Sequence, residues 1–124
     1  TLLEKEELIM VIPKQFEGLQ DLEAMLLTSI LGTFVALSED LISFRQAESY
    51  WLSELTADLF EEMNLSEEIV NILHEGIKLK ELIEFGNIYY DTIDKLIYDC
   101  KSLIANYYTE YQQEEESAFS SLLN

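Results

Sequence analysis

His74 is the sole histidine of the chain and Cys100 its sole cysteine, so nucleophilic or metal chemistry would rest on these two and on carboxylates. His74 with Glu75 could hold a metal or act as a general base. A helical zinc site, however, needs a second histidine four residues on, where Lys78 stands. The di-iron carboxylate pattern needs a glutamate three residues before the histidine, where Asn71 stands. Beside Gly76, at an expected helix end, His74 serves more readily to meet free carbonyls and the helix dipole. Cys100 lies on an apolar helical stripe, where a thiol is an inert small hydrophobe. Lys101 is about 100° around that helix and gives the thiol little help. No phosphate-cradling glycine loop and no serine elbow occur, and a triad would rest on His74 alone. No catalytic, cofactor-binding or metal residue is therefore assigned, no cofactor is expected, and the chain is read as a non-enzyme.

The remaining polar chemistry is carboxylate and phenol. Glu61-Glu62, Glu67-Glu68 and Glu114-Glu115-Glu116 are the densest acids, and they lack the spacing and glycine of a calcium loop. They form a solvated face or a surface for a basic partner. In Tyr89-Tyr90 and Tyr107-Tyr108, helical geometry turns one ring of each pair to a core and the other away from it. Outward tyrosines suit an interface, where a ring buries area and keeps its hydroxyl wet. The expected partner surface is thus Glu61, Glu62, Glu67, Glu68, Tyr90, Tyr108, Glu114, Glu115 and Glu116.

The charge balance sets the class of partner. The chain carries 25 acidic and 7 basic residues, net −18. Nucleic-acid binding runs on Lys and Arg neutralising phosphates, and binding to anionic membranes runs on the same residues, so neither is expected. A basic protein partner, a homodimer or plain solubility is compatible with the charge. With one cysteine there is no internal disulfide, and the opening TLLEKEE has no basic-then-apolar leader pattern, so the cytoplasm is the expected compartment.

These residues must be positioned by a few helices: 124 residues suffice for one core, and one proline with four glycines leaves little turn punctuation. The fold class expected is all-α, an orthogonal or irregular bundle of about four to five helices. It would occupy residues 1–112, with a polar, partly frayed tail over 113–124. Its centre is Leu22–Leu37, LEAMLLTSILGTFVAL, apolar around nearly its whole circumference and so expected to be enclosed by protein. At sixteen residues it is short of the about 20 needed to span a bilayer. Asp21 is its expected N-cap, Glu23 lies near its positive end, and Gly32 suggests close approach of a neighbouring helix or a ligand on bare backbone. Before it, Glu6–Pro13 reads as a short strand or helical turn lying on the bundle.

After a polar turn at Ser38-Glu39-Asp40, Ser43 and Gln46 have capping-box spacing, with Ile42 placed to staple. One helix is expected from Phe44 to Met63, with Ala47, Tyr50, Trp51, Leu55, Leu59 and Phe60 inward and Asn64 as its left-handed stop. Ser66 caps a short helix that Gly76 would end, and a further turn or two over Lys78–Phe85 would close at Gly86. From about Tyr89 to Gln112 runs a clean stripe: Tyr89, Ile93, Leu96, Ile97, Cys100, Leu103, Ile104, Tyr107 and Tyr111.

Within Leu31–Glu84 stand Leu31-Gly32-Thr33, Leu41-Ile42-Ser43, Ala47-Glu48, Leu65-Ser66 and Ile72-Leu73-His74-Glu75-Gly76. In these steps the chain resembles a family of small, uncharacterised bacterial helical proteins, a domain of unknown function. The resemblance implies a helical fold and no activity, and the family's acidic segment after the glycine step is replaced here by Lys78-Leu79-Lys80-Glu81. The function expected is a non-enzymatic cytoplasmic interaction protein of immunity or inhibitor type. The alternatives are a small structural homo-oligomer and, with least support, a metal protein or enzyme around His74.

Overall fold

The computed structural model describes residues 18–123, with side chains described through Thr109. The Glu6–Pro13 segment lies outside the described residues. Among them every regular element is a helix and there is no strand, as an all-α fold requires. Helix α1 spans Leu19–Ser38, α2 Phe44–Tyr50, α3 Glu54–Glu62 and α4 Glu67–Lys78; a 3-10 segment, Leu79–Phe85, leads into α5, Asn87–Leu123.

Helices α1 and α5 make the most extensive contact among the described elements. Leu22, Leu26, Leu27, Ile30, Phe34 and Leu37 of α1 form the stripe turned to the core. From α5, Tyr89, Ile93, Leu96 and Cys100 are buried there, while Ile97, Leu103, Ile104 and Tyr107 pack at its edge. Full burial of a side chain the size of leucine contributes about 2 kcal/mol. These two stripes therefore supply a large share of the buried apolar surface among the described residues, and the chain between them supplies the rest, Phe60, Ile69 and Leu73 included.

Four expectations about α1 are corrected. It starts at Leu19 with Gly18 as N-cap in the left-handed region, φ 96°, so Asp21 sits inside the first turn. Its 20 residues are long and apolar enough to cross a membrane by length and composition, so shortness does not distinguish it. Nor is it enclosed on all sides: Met25, Thr28, Leu31, Gly32 and Val35 are half-buried or exposed among the described residues. A Cβ on Gly32 would meet nothing within 4 Å of the described residues, so neither a close helix nor another described group explains this glycine.

The span expected as one helix from Phe44 to Met63 is two. The capping box forms as its spacing requires, with Ser43 accepting from the Gln46 N–H and Gln46 Oε1 accepting from the Ser43 N–H at 2.9 Å. Helix α2 stops at Tyr50, Leu52 turns wholly into the core, and Ser53 caps α3 by accepting from the Thr56 N–H. The break moves Tyr50 and Leu55 off the buried face, and both are exposed. Helices α1 and α3 end alike. Asp40 and Asn64, each at φ 57°, let the next residue donate back: Leu41 N–H to Ala36 O at 2.9 Å and Leu65 N–H to Phe60 O at 3.1 Å.

Gly76 does not end α4; it lies within it. A Cβ there would stand 2.9 Å from Phe34 Cζ and 3.0 Å from Leu52 Cδ2. Close approach is thus the property of Gly76, and the core ring of Phe34 occupies the space. The chain reverses at Gly86, φ 53°, and α5 then runs on past Gln112 without interruption.

Candidate functional site

Glu23 is 5% exposed, the only carboxylate among the buried polar residues described. Burying an ionised carboxylate is costly unless hydrogen bonds replace its water. Two do: the Ser66 N–H donates to Oε1 at 2.5 Å and the Tyr107 hydroxyl donates to Oε2 at 2.8 Å. Ser66 Oγ lies 3.3 Å from the same hydroxyl. Ser66 therefore leads α4 without capping it through its side chain, and its hydroxyl is turned to α5 instead. Burial chiefly, with the Glu23 carboxylate adding to it, pushes the Tyr107 phenol up to about 12; the Ser66 contact opposes. This node joins three helices and holds the N-terminus of α4 where its outer face flanks two grooves.

The first groove, about 490 Å³, lies between α3 and α4 and is lined by Glu61, Asn64, Glu67, Val70, Asn71 and His74. The second, about 350 Å³, lies between α4 and α5. Ile72 and Leu103 give it an apolar floor, and Glu68, Glu75 and Asp99 line it with Tyr98, Ser102 and Asn106. Asn71 borders both, so the grooves adjoin. The outward face of α4 runs between them with Glu67, Glu68 and Glu75 exposed. Glu67 and Glu68 have no ion pair among the described residues. At the far end of the second groove, Lys95 Nζ lies 3.1 Å from Glu75 and 3.3 Å from Asp99. Those two bonds hold its ammonium above the usual lysine range.

The candidate residues distribute as follows. His74, half-buried on α4, lies 3.2 Å from Glu61 across the first groove and is not at a helix end. Its neighbour Glu75 faces the other groove and Lys95, so the two do not converge. Among the described residues no group of three or more His, Cys, Asp and Glu side chains is placed to hold a metal ion. Cys100 is fully buried, and burial together with Asp99 pushes its thiol up to about 12. Tyr89 and Tyr107 turn inward while Tyr90 and Tyr108 are exposed, the alternation that the helical spacing requires. Tyr90 is also tied to the α1–α2 turn, donating to Asp40 Oδ1 at 2.6 Å. Eighteen residues apart, Tyr90 and Tyr108 share a face of α5 but stand about 27 Å from each other, so they form no single patch. Glu61, Glu67 and Glu68 gather on the groove surface with Glu62 exposed beside them, whereas Glu114, Glu115 and Glu116 lie on α5 beyond the described side chains.

Two contributors escaped the sequence. Glu23 was legible only as an acid near a helix start; the signal was its place, one turn from Leu26 and Leu27 in an otherwise apolar run. Tyr98, 69% exposed, stands one residue off the apolar stripe of α5, and the helical period alone puts it outside the core.

A family model described as a protein of unknown function (DUF3969) matches residues 17–119, and the chain belongs to that family. The match extends beyond Leu31–Glu84 on both sides, and its description assigns no enzymatic activity. No curated protein and no solved structure matches the chain.

Proposed function

We propose that this chain of the DUF3969 family is a non-enzymatic, cytoplasmic interaction protein whose acidic surface receives a basic protein, in the manner of an immunity protein or inhibitor. The observation that carries this is the groove surface of α4. Glu67 and Glu68 stand exposed there with no ion pair among the described residues, Glu61 and Glu75 flank them, and the chain as a whole is at −18. Such a surface raises the encounter rate with a cationic partner and repels anionic ones, which sets specificity more than raw affinity.

Sedimentation equilibrium at low salt and at about 0.5 M, where screening shortens to roughly 4 Å, is the first test. Beside it runs capture of basic proteins by the wild type and by a Glu67→Lys/Glu68→Lys variant. The expected result is a monomer that holds a basic protein at low salt, releases it at high salt, and loses it in the variant. Capture that ignores both salt and charge reversal would sink the proposal.

A second reading, a small structural homo-oligomer, draws on the exposed Ile83, Phe85 and Ile88 around the 3-10 segment. It requires a dimer that persists in high salt and dissociates when Phe85 and Ile88 are replaced by serine.

A further inference from the structure

The second groove has features that a merely solvated acidic face does not need. Its two walls are single helical faces: Glu68, Asn71, Ile72 and Glu75 recur at three and four on α4, and Tyr98, Ser102 and Leu103 face them from α5. From Glu68 to Glu75 the groove runs about 10 Å, the rise of seven helical residues. Ile72 and Leu103 lie on its floor, and Glu68, Glu75 and Asp99 rim it with carboxylates. At one end the chain's own Lys95 shows what those carboxylates accept: one ammonium gripped by Glu75 and Asp99, on a side chain 60% exposed and so free to leave. At the other end Glu68 has no such cation among the described residues. The ring of Tyr98, 69% exposed, offers a further face to a cation.

We propose that this groove docks a basic amphipathic helix of a partner protein. An apolar side chain of that helix rests on Ile72 and Leu103. One cationic side chain meets Glu68, and a second displaces Lys95 from Glu75 and Asp99. The inference rests on the acidic-surface reading above and narrows it to one groove and one type of occupant. The physics is that of helix-in-groove recognition: apolar anchors at helical spacing supply area, and charge complementarity sets orientation. Lys95 acts as a resident competitor, so the site is partly self-occupied until a partner arrives.

The test is titration of the full chain with a fluorescein-labelled synthetic Leu/Lys amphipathic helix, with a Leu/Glu helix as control, followed by anisotropy and by NMR shifts. Amide shifts are expected at Glu68, Asn71, Ile72, Tyr98, Ser102 and Leu103, with the Leu/Glu helix silent. Lys95→Gln replaces an exposed side chain and is expected to leave the circular dichroism spectrum unchanged; it is expected to tighten binding about fivefold, the worth of one exposed ion pair removed as competitor. Glu68→Gln is expected to weaken binding by a similar factor. The groove is overturned if Lys95→Gln leaves affinity unchanged or lowers it. It is overturned equally if the shifts fall on another acidic face, in which case the acidic-surface reading still stands. If the Leu/Lys helix fails to bind at low salt and no basic protein is captured either, both fall together.

Discussion

At the scale of single residues, the strongest constraint is the buried carboxylate of Glu23. Its two donors come from α4 and α5, so removing one leaves a charge short of a partner in a dry place. Tyr107→Phe is expected to lower unfolding free energy by about 1.5–3 kcal/mol, the usual worth of a hydrogen bond to a charged group; urea denaturation measures it. Tyr107 also sets an alkaline limit. Its folded pKa is raised from 10.0 to about 12, so its contribution is fully present below pH 10 and is lost as pH climbs from about 10 to 12. A urea midpoint that falls across that window in the wild type, and falls less in Tyr107→Phe, checks the sign. Cys100 gives an independent probe: a thiol that is fully buried and held protonated to about 12 should resist a disulfide reagent at pH 8. Its labelling rate is then the rate of opening of the α1–α5 core, and rapid labelling of the native chain would refute its burial.

At the scale of elements, two helical glycines make opposite predictions. Gly32 faces open space among the described residues, so Gly32→Ala gains helix propensity alone and is expected to stabilise by about 1 kcal/mol. Gly76 faces the ring of Phe34, and overpacking there costs about 1–3 kcal/mol against the same gain, so Gly76→Ala is expected to destabilise or at best break even. Thermal melts of the pair decide it, and a stabilised Gly76→Ala would mean that α4 lies farther from α1 than described. The sequence ranked these two the other way round, with close approach assigned to Gly32 and a helix end to Gly76. Both sit in helical stretches, and which of them meets a neighbour depends on how α4 lies against α1. The break of α2 from α3 was hidden for a related reason: no Gly or Pro marks residues 50–53. Leu52 leaves the helical path because burial in the core and the Ser53 cap together outweigh one more helical turn.

At the scale of the whole molecule, charge governs behaviour. A net −18 on 124 residues repels itself in the compact state, so added salt should stabilise the fold. The midpoint of thermal unfolding is expected to rise between low salt and about 0.5 M, and a fall would show that the ion pairs of Lys80 and Lys95 outweigh the repulsion. The same charge supports reading the α4 grooves as a receiver of cations, and it is why a homodimer would have to use the apolar end near Phe85 and not the acidic face.

The sequence by itself determined the all-α class, the stripe of α5, the box at Ser43, the left-handed stop at Asn64, the turn at Gly86 and the inward–outward alternation of the tyrosine pairs. Each is local: a few adjacent residues and the helical period suffice to place it. Only the tertiary structure decided that Glu23 is buried, that Ser66 turns to Tyr107 instead of capping, that Glu75 meets Lys95 instead of His74, and that Asn71 borders two grooves. Those facts join residues tens of positions apart. They depend on how α4 lies against α1, α3 and α5, and no spacing within one helix encodes that.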